Sequence, residues 1–253
     1  MVEQASGLAR LQEHRRIWRG KAALRRIYAV WFDALLRLAP AGARVLEIGA
    51  GPGLLSDYAR EHRPDLSWTA TDLIPTPWND VAADAERLPL RDRSVDAILG
   101  LDTLHHLKSP ARFFEEAVRV LRPGGQVGML EPWVTALSYP VYRWLHHEGC
   151  DPKLDPWAPF ASATSKDPFD GNAAVAWRMV EGTPLSRWRD FGLSAPRLET
   201  MNGFAYLLSL GFRQGSLLPA FLTAPLLDVD RQLAPWAHWL GLRALIRWGP
   251  SVP

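Results

Sequence analysis

One cysteine, Cys150, stands in a chain of 253 residues. It excludes an internal disulfide and any zinc site built from thiolates, and it suits a reducing compartment. Charge of one sign is also missing: the net charge of +2 gives no ground for a nucleic-acid partner. No long apolar run is present. The longest uncharged stretch, residues 214–227, is too short to span a bilayer and holds Pro219 and Pro225. The first residues are polar and lack the apolar centre of a signal peptide, so a cytoplasmic location is expected. With 47% hydrophobic and 22% charged residues the composition is that of an ordinary soluble globular protein, and 253 residues fit one α/β domain with an insertion or appended segment. No internal repeat or low-complexity tract interrupts it.

A dinucleotide fingerprint is absent too, and its absence is informative. Residues 44–48 read as a buried strand, and Gly49-Ala50-Gly51-Pro52-Gly53 as a glycine turn opening a helix near Leu54. A G-x-G-x-x-G pattern needs its third glycine at position 54 or 56, where Leu54 and Ser56 stand instead. The pattern present is G-x-G-x-G, preceded by Glu47. Bare backbone at a helix N-terminus lets a ligand lie directly on the chain and favours negative charge. About 20 residues on, the strand 67–72 ends in Asp72, where a ribose diol needs an acceptor. Asp84-Ala85-Glu86-Arg87-Leu88-Pro89, Ser94-Val95-Asp96-Ala97-Ile98, Leu104-His105-His106-Leu107 and Val120-Leu121-Arg122-Pro123-Gly124-Gly125 follow in order, then a strand over 126–130 ending at Glu131-Pro132.

These motifs, over about residues 44–135, resemble the class I S-adenosylmethionine (SAM)-dependent methyltransferases, small-molecule branch (methyltransferase type 11-like). The resemblance implies an α/β fold: a three-layer Rossmann-like sandwich with a seven-stranded, mostly parallel sheet whose last strand is antiparallel. It implies N-terminal helices (residues 1–43) capping a methyltransferase domain (44–253); the prolines and tryptophans clustered over about 132–195 mark an insertion after strand 5, expected over the ligand face of the sheet. It also implies SAM as cofactor and S-adenosylhomocysteine as product. Gly49, Ala50, Gly51 and Gly53 would carry the methionine part. Glu47 would orient the turn or meet the ammonium through water, and is otherwise a strand-end carboxylate. Asp72 would accept both ribose hydroxyls and Leu73 would border the adenine. Asp84 would accept the adenine amine beside Ala85, or simply cap a helix. Leu101 would border the sulfonium, with Asp102 and Thr103 beside it. That position lacks the [DNS]-P-P-[YFW] signature, which argues against methylation of DNA bases or protein amides.

His105 and His106 sit where the family places residues near the transferred methyl. One of them, with His106 preferred, is a candidate general base, since histidine titrates near neutrality; the alternative is packing. His146-His147-Glu148, with Asp151, are residues of metal-ligand type, but adjacent histidines point apart on a helix, and no metal is assigned. Arg10 to Arg26 is a basic stretch, either a solvated helix face or an arm over the cofactor, where a basic side chain or Tyr28 would meet the carboxylate.

The rest of the chain is read more coarsely. Residues 8–39 form two helices or one broken at Gly20, with Leu24, Ile27, Tyr28, Trp31, Leu35 and Leu38 at helical spacing. Helices are expected over 139–147 and 172–181, and strands over 197–204 and 242–248. Nine of the 12 tryptophans lie outside the motif block. The apolar segment of about 216–240 either faces the core or rests peripherally on a membrane; no segment is long enough to cross one. The expected activity is in-line methyl transfer to a small-molecule or lipid-linked acceptor enclosed by Trp133, Tyr139, the 146–160 region and the C-terminal apolar segment. The alternative is a non-catalytic SAM-binding partner or regulatory protein.

Overall fold

The computed structural model describes residues 2–145, 148–158 and 169–251, the side chains from residue 6 onward. Helices α1 (Val2–Gly20) and α2 (Ala22–Leu36) come first, broken at Gly20-Lys21. On α2, Leu24, Ile27, Tyr28, Trp31 and Leu35 recur at helical spacing, and all five are buried. Then β1 (Arg44–Ile48), α3 (Leu54–His62), β2 (Ser67–Asp72), β3 (Val81–Ala82), β4 (Val95–Leu101), α4 (Pro110–Val120) and β5 (Leu121–Pro132) alternate. Strands β6 (Arg197–Met201) and β7 (Arg243–Trp248) complete a seven-stranded sheet in the order β3-β2-β1-β4-β5-β7-β6. Strand β7 alone is antiparallel to its neighbours.

Successive side chains on each central strand enter opposite layers, which is why these strands are apolar on both sides. Val45, Leu99, Leu130 and Leu245 join α2 and α3 in one core. Leu46, Ile98, Met129 and Ile246 join α4 in the other, around Phe113, Phe114, Trp188 and Trp248. The result is the three-layer sandwich that the resemblance implied. Ser109 caps α4 by accepting the Arg112 N–H, with Pro110 just inside the first turn.

Three expectations differ from the structure. The segment after β5 is not all on the ligand side: the helices Val175–Gly182 and Leu185–Asp190 carry Val175, Ala176, Met179 and Trp188 into the second core. They close the sheet's far face, as a crossover before β6 must. The expected strand 197–204 stops at Met201, because the Asp230 carboxylate accepts the N–H groups of Phe204 and Ala205 at 3.0 and 3.1 Å and starts a helix there. The expected helix 139–147 is one short turn, Ser138–Pro140, running into a π-helical turn, Val141–Leu145; its last two residues, His146 and His147, lie outside the described residues.

The tryptophans split by place. Trp31, Trp133, Trp188 and Trp248 are buried, whereas Trp144, Trp236 and Trp239 are exposed. Within 216–240, Leu226 and Leu227 pack partly against the first core, while Leu217, Phe221, Leu222 and Trp236 face outward. No helix among the described residues is long and apolar enough to cross a membrane.

Candidate functional site

The carboxyl ends of β1, β2, β4 and β5 open on one cavity of about 300 Å³. Parallel α/β sheets bind ligands at this edge, because every βα loop ends there. Of the residues singled out in the sequence, Glu47, Gly49, Ala50, Gly51, Asp72, Leu73, Asp84, Ala85, Leu101, His105 and His106 all line it. Gly53 does not. It sits behind the turn, as the residue before α3, beneath Trp78.

The turn is held from both sides. Gly49, Gly51 and Gly53 have φ of 61°, 50° and 70°, in the left-handed region. A Cβ on Gly49 would lie 2.3 Å from Thr103 Oγ1, and one on Gly53 would lie 2.4 Å from Trp78 Cδ1. On Gly51 the nearest atom would be 3.7 Å away, in Leu11, so that position faces the open cavity. Helix α1 lies across the turn. Arg15 donates to the Pro52 carbonyl at 2.6 Å, pairs with Asp57 at 2.8 Å and stacks on Trp78, while Arg10, Leu11 and His14 reach the cavity. The basic stretch is therefore divided: Arg15 clasps the turn, and Arg16 and Arg19 are solvated.

The acids at the strand ends are pre-set by backbone. One Asp72 oxygen accepts the Gly51 N–H and the other the Ile74 N–H, both at 2.8 Å. Burial nonetheless pushes its carboxyl above the ordinary range. Asp84 accepts the Glu86 N–H at 2.9 Å, and Glu86 in turn accepts the N–H groups of Lys108 and Ser109 at 2.6 and 2.7 Å. Glu86 thus ties the 84–86 loop to the loop after β4.

Glu47 is buried inside the sheet end and accepts the Trp68 indole N–H at 2.8 Å. Burial pushes its pKa up to about 8, against the pull of Trp68 and Arg60. The sign follows. A folded pKa above the unfolded value means that the folded state holds the extra proton, so the stability is complete below about pH 4.5 and is lost as pH rises through about 8. The melting temperature of Glu47→Gln is expected to fall less between pH 6 and 9 than that of the wild type, as scanning calorimetry at matched ionic strength would read.

His105 is almost wholly buried. Burial works against its charge, but its Nδ1 lies 2.5 Å from Glu131 and its Nε2 3.1 Å from Glu148, and the two carboxylates win, holding its pKa up at about 10. Glu131 also accepts the N–H groups of Thr103 and Leu104 at 2.8 and 2.7 Å. His106 goes the other way: burial, then the neighbouring His105 charge, lower its pKa to about 3. The pair is thus split, one ring charged and the other neutral, and neither is poised near pH 7. Glu148 joins the site from 43 residues away, against His105 and His106 rather than with Asp151.

At the cavity's deep end a group appears that the sequence reading missed. Arg243, from β7, is buried, pairs through both terminal nitrogens with Asp102 (Nη2–Oδ2 2.9 Å), and stacks on Trp31 and Tyr206. The paired carboxylate and two neighbouring tyrosines keep its guanidinium charged despite burial. Asp102 holds a φ of 53°, a strained value for a residue with a side chain. Tyr28, Tyr142 and Tyr206 surround the pair, and Phe212 and Phe169 close the rim. The available signal was an arginine inside the apolar run Leu242–Ile246; a charge there must meet a partner.

Comparison with known proteins bears on this arrangement. A family model described as "Methyltransferase domain" matches residues 46–129, from β1 to β5. Over these residues the chain is similar to the class I SAM-dependent methyltransferases. An uncharacterized methyltransferase of Mycobacterium tuberculosis is 39% identical over 109 residues, 39% of this chain and 44% of that protein. A Mycobacterium ulcerans phthiotriol/phenolphthiotriol dimycocerosates methyltransferase is 37% identical over 174 residues, 60% of this chain and 64% of that one. The chain thus spans less than two thirds of the length of these relatives. Among solved structures, a Burkholderia thailandensis 1,6-didemethyltoxoflavin-N1-methyltransferase, with S-adenosylhomocysteine bound, aligns over 99% of this chain and 87% of its own, at TM-score 0.50 and 17% identity. That likeness concerns the methyltransferase fold alone. The family match ends at β5, so Glu148, Arg243 and the tyrosines lie outside the matched span.

Proposed function

We propose that the protein transfers the methyl group of SAM to a lipid-linked or similarly apolar small molecule. The observation that carries this reading is the turn at Gly49 to Gly53 beside Asp72, with the cavity continuing past Leu101 to the tyrosine-lined end. Gly49, Ala50 and Gly51 would seat the methionine part on bare backbone. Asp72 has a second lone pair on each oxygen for the ribose hydroxyls. Asp84, Leu73 and Ala85 would border the adenine, and Leu101 the sulfonium. Glu47 supports the turn from behind, and helix α1 caps the cofactor through Arg10, Leu11 and His14.

Transfer is an in-line displacement: the acceptor's lone pair forms the new bond as the carbon–sulfur bond breaks and its electrons stay on sulfur. The protein's task is to hold the two reactants about 3 Å apart and exclude water. His106, neutral and beside Leu107 and Asp102, would accept a hydrogen bond from the acceptor and orient it. Its low basicity makes it a weak proton sink.

Two features favour an apolar, membrane-borne acceptor. Leu217, Phe221 and Trp236 are exposed on the segment that follows Phe212 at the cavity rim. Exposed Arg26 donates to the Ala220 carbonyl, and exposed Arg213 to that of Leu145, which sets cations beside the apolar side chains. Such a surface suits an anionic lipid bilayer. The mycobacterial relative named above acts, by its name, on phthiotriol/phenolphthiotriol dimycocerosates.

Calorimetric titration should give micromolar binding of S-adenosylhomocysteine and none of NAD. Tritiated SAM with a cell lipid extract should label an organic-soluble product. His106→Ala should lose turnover and keep cofactor affinity. Co-sedimentation with anionic phospholipid vesicles should weaken in Phe221→Ser/Trp236→Ser. Label confined to the aqueous phase would refute the lipid acceptor. Cofactor binding with no product from any extract would favour the regulatory role instead.

A further inference from the structure

We infer that His105, His106 and Glu148 form a divalent-cation site for a metal such as zinc, iron(II) or cobalt(II), opening on the acceptor half of the cavity. The inference rests on the proposed methyl transfer only for its role; the site itself stands on geometry. His105 Nε2 lies 3.1 Å from one Glu148 oxygen, and His106 Nε2 lies 3.6 Å from the other. One ligand atom from each of the three residues falls within 4.8 Å of the others. An ion bound at about 2.1 Å to each ligand of a tetrahedral set holds those ligands about 3.4 Å apart. The two carboxylate–imidazole spacings bracket that value, and a cation entering between them replaces the Nε2 proton that His105 carries, which leaves to solvent.

The surroundings hold both rings in place, and the outer nitrogen of His105 is already committed. Glu131, itself buried, takes His105 Nδ1 at 2.5 Å and is anchored by the N–H groups of Thr103 and Leu104. A carboxylate on the far nitrogen fixes ring orientation and tautomer, as it does behind metal-bound histidines. The His106 ring is hydrogen-bonded by the Asp170 backbone. Gly171 lets that backbone lie against both rings: a Cβ there would meet His105 Cδ2 at 2.7 Å and His106 Nδ1 at 2.9 Å. Both Nε2 atoms are thereby turned toward Glu148 and the cavity. Two imidazoles and one carboxylate suit a borderline metal and leave coordination positions open.

The open positions give the site its use: with the ion bound, His106 would meet the acceptor through the metal and not by a direct hydrogen bond. A hydroxyl of the acceptor bound there would release its proton to solvent, as metal-bound water does. The resulting oxygen attacks the SAM methyl, forming a carbon–oxygen bond as the carbon–sulfur bond breaks and its electron pair stays on sulfur. The acceptor class is therefore an alcohol or phenol, and the protein needs no side-chain base.

Chelator-stripped protein titrated with cobalt(II) chloride tests this directly. One ion per chain should bind with micromolar affinity and a visible absorption band, and zinc chloride should displace it. Glu148→Gln and His106→Ala should weaken cobalt binding at least about 100-fold, and Glu131→Gln, acting through His105, by about 10- to 100-fold. Each variant should keep wild-type S-adenosylhomocysteine affinity, which also reports that it is folded. Wild-type protein that binds cobalt only at millimolar concentration, or variants that hold it as tightly as wild type, would overturn the site. Loss of S-adenosylhomocysteine binding in the wild type would instead strike the methyltransferase reading, leaving the metal result to stand by itself.

Discussion

Gly49→Ala is expected to lose both cofactor affinity and fold stability, whereas Gly51→Ala should lose affinity with much less effect on stability. Both residues have positive φ, which costs an alanine about 1–2 kcal/mol. They differ in what their new methyl meets. At Gly49 it would stand 2.3 Å from the hydroxyl of Thr103, a buried residue whose side chain also donates within the β1 and β4 ends. Either Thr103 or the β1 exit must move, and the N–H groups that Glu131 holds move with it. At Gly51 the methyl would enter the cavity, 3.7 Å from its nearest neighbour, where only a ligand is displaced. Calorimetry with S-adenosylhomocysteine should show at least a 100-fold loss in both. Thermal melts should show a drop of several degrees for Gly49→Ala and roughly half that for Gly51→Ala. Full affinity in Gly51→Ala would remove the turn from the binding site.

Arg243→Met should be among the most destabilising single changes in the chain, by about 3–5 kcal/mol. The arginine is buried, and its removal leaves Asp102, strained and mostly enclosed, with no countercharge from β7. The stacking of the guanidinium on Trp31 and Tyr206 is lost as well. Removing the second charge should recover much of the loss. Asp102→Asn/Arg243→Met is expected to be more stable than Arg243→Met alone, because the uncompensated carboxylate is gone. Urea unfolding of the two single variants and the double variant would measure the coupling; additive losses would mean that the pair contributes no interaction of its own.

How much of this was legible beforehand depends on how local each feature is. The glycine turn, Asp72, Asp84 and the histidine pair are short motifs at strand exits, and a parallel sheet gathers strand exits at one edge. Position along the chain therefore converts directly into position around the cavity. Glu148 was noticed, but beside its sequence neighbours His146, His147 and Asp151; its contacts are His105 and His106, which only a π-helical turn and a long connection bring to it. Arg243 was invisible as a site residue because its partner is 141 positions away. Ionisation was the least legible property. Two adjacent histidines look alike in a sequence, yet two carboxylates hold one ring charged against its burial, while burial and that neighbouring charge keep the other neutral. The segment after β5 was judged by its prolines and tryptophans, which hid that its second half is a core layer.

The position of β7 has a consequence for how the molecule comes into being on the ribosome. Strand β7 inserts between β5 and β6, antiparallel to both, and brings Arg243 to the wall of a cavity whose other parts were synthesised far earlier. A nascent chain that has emerged only through β5 would carry the nucleotide half of the cavity with Asp102 uncompensated and the β5 edge open. Such an edge invites non-native pairing until the late strand arrives. Docking of the final segment thus makes one event of edge protection and of charge neutralisation at the cavity wall.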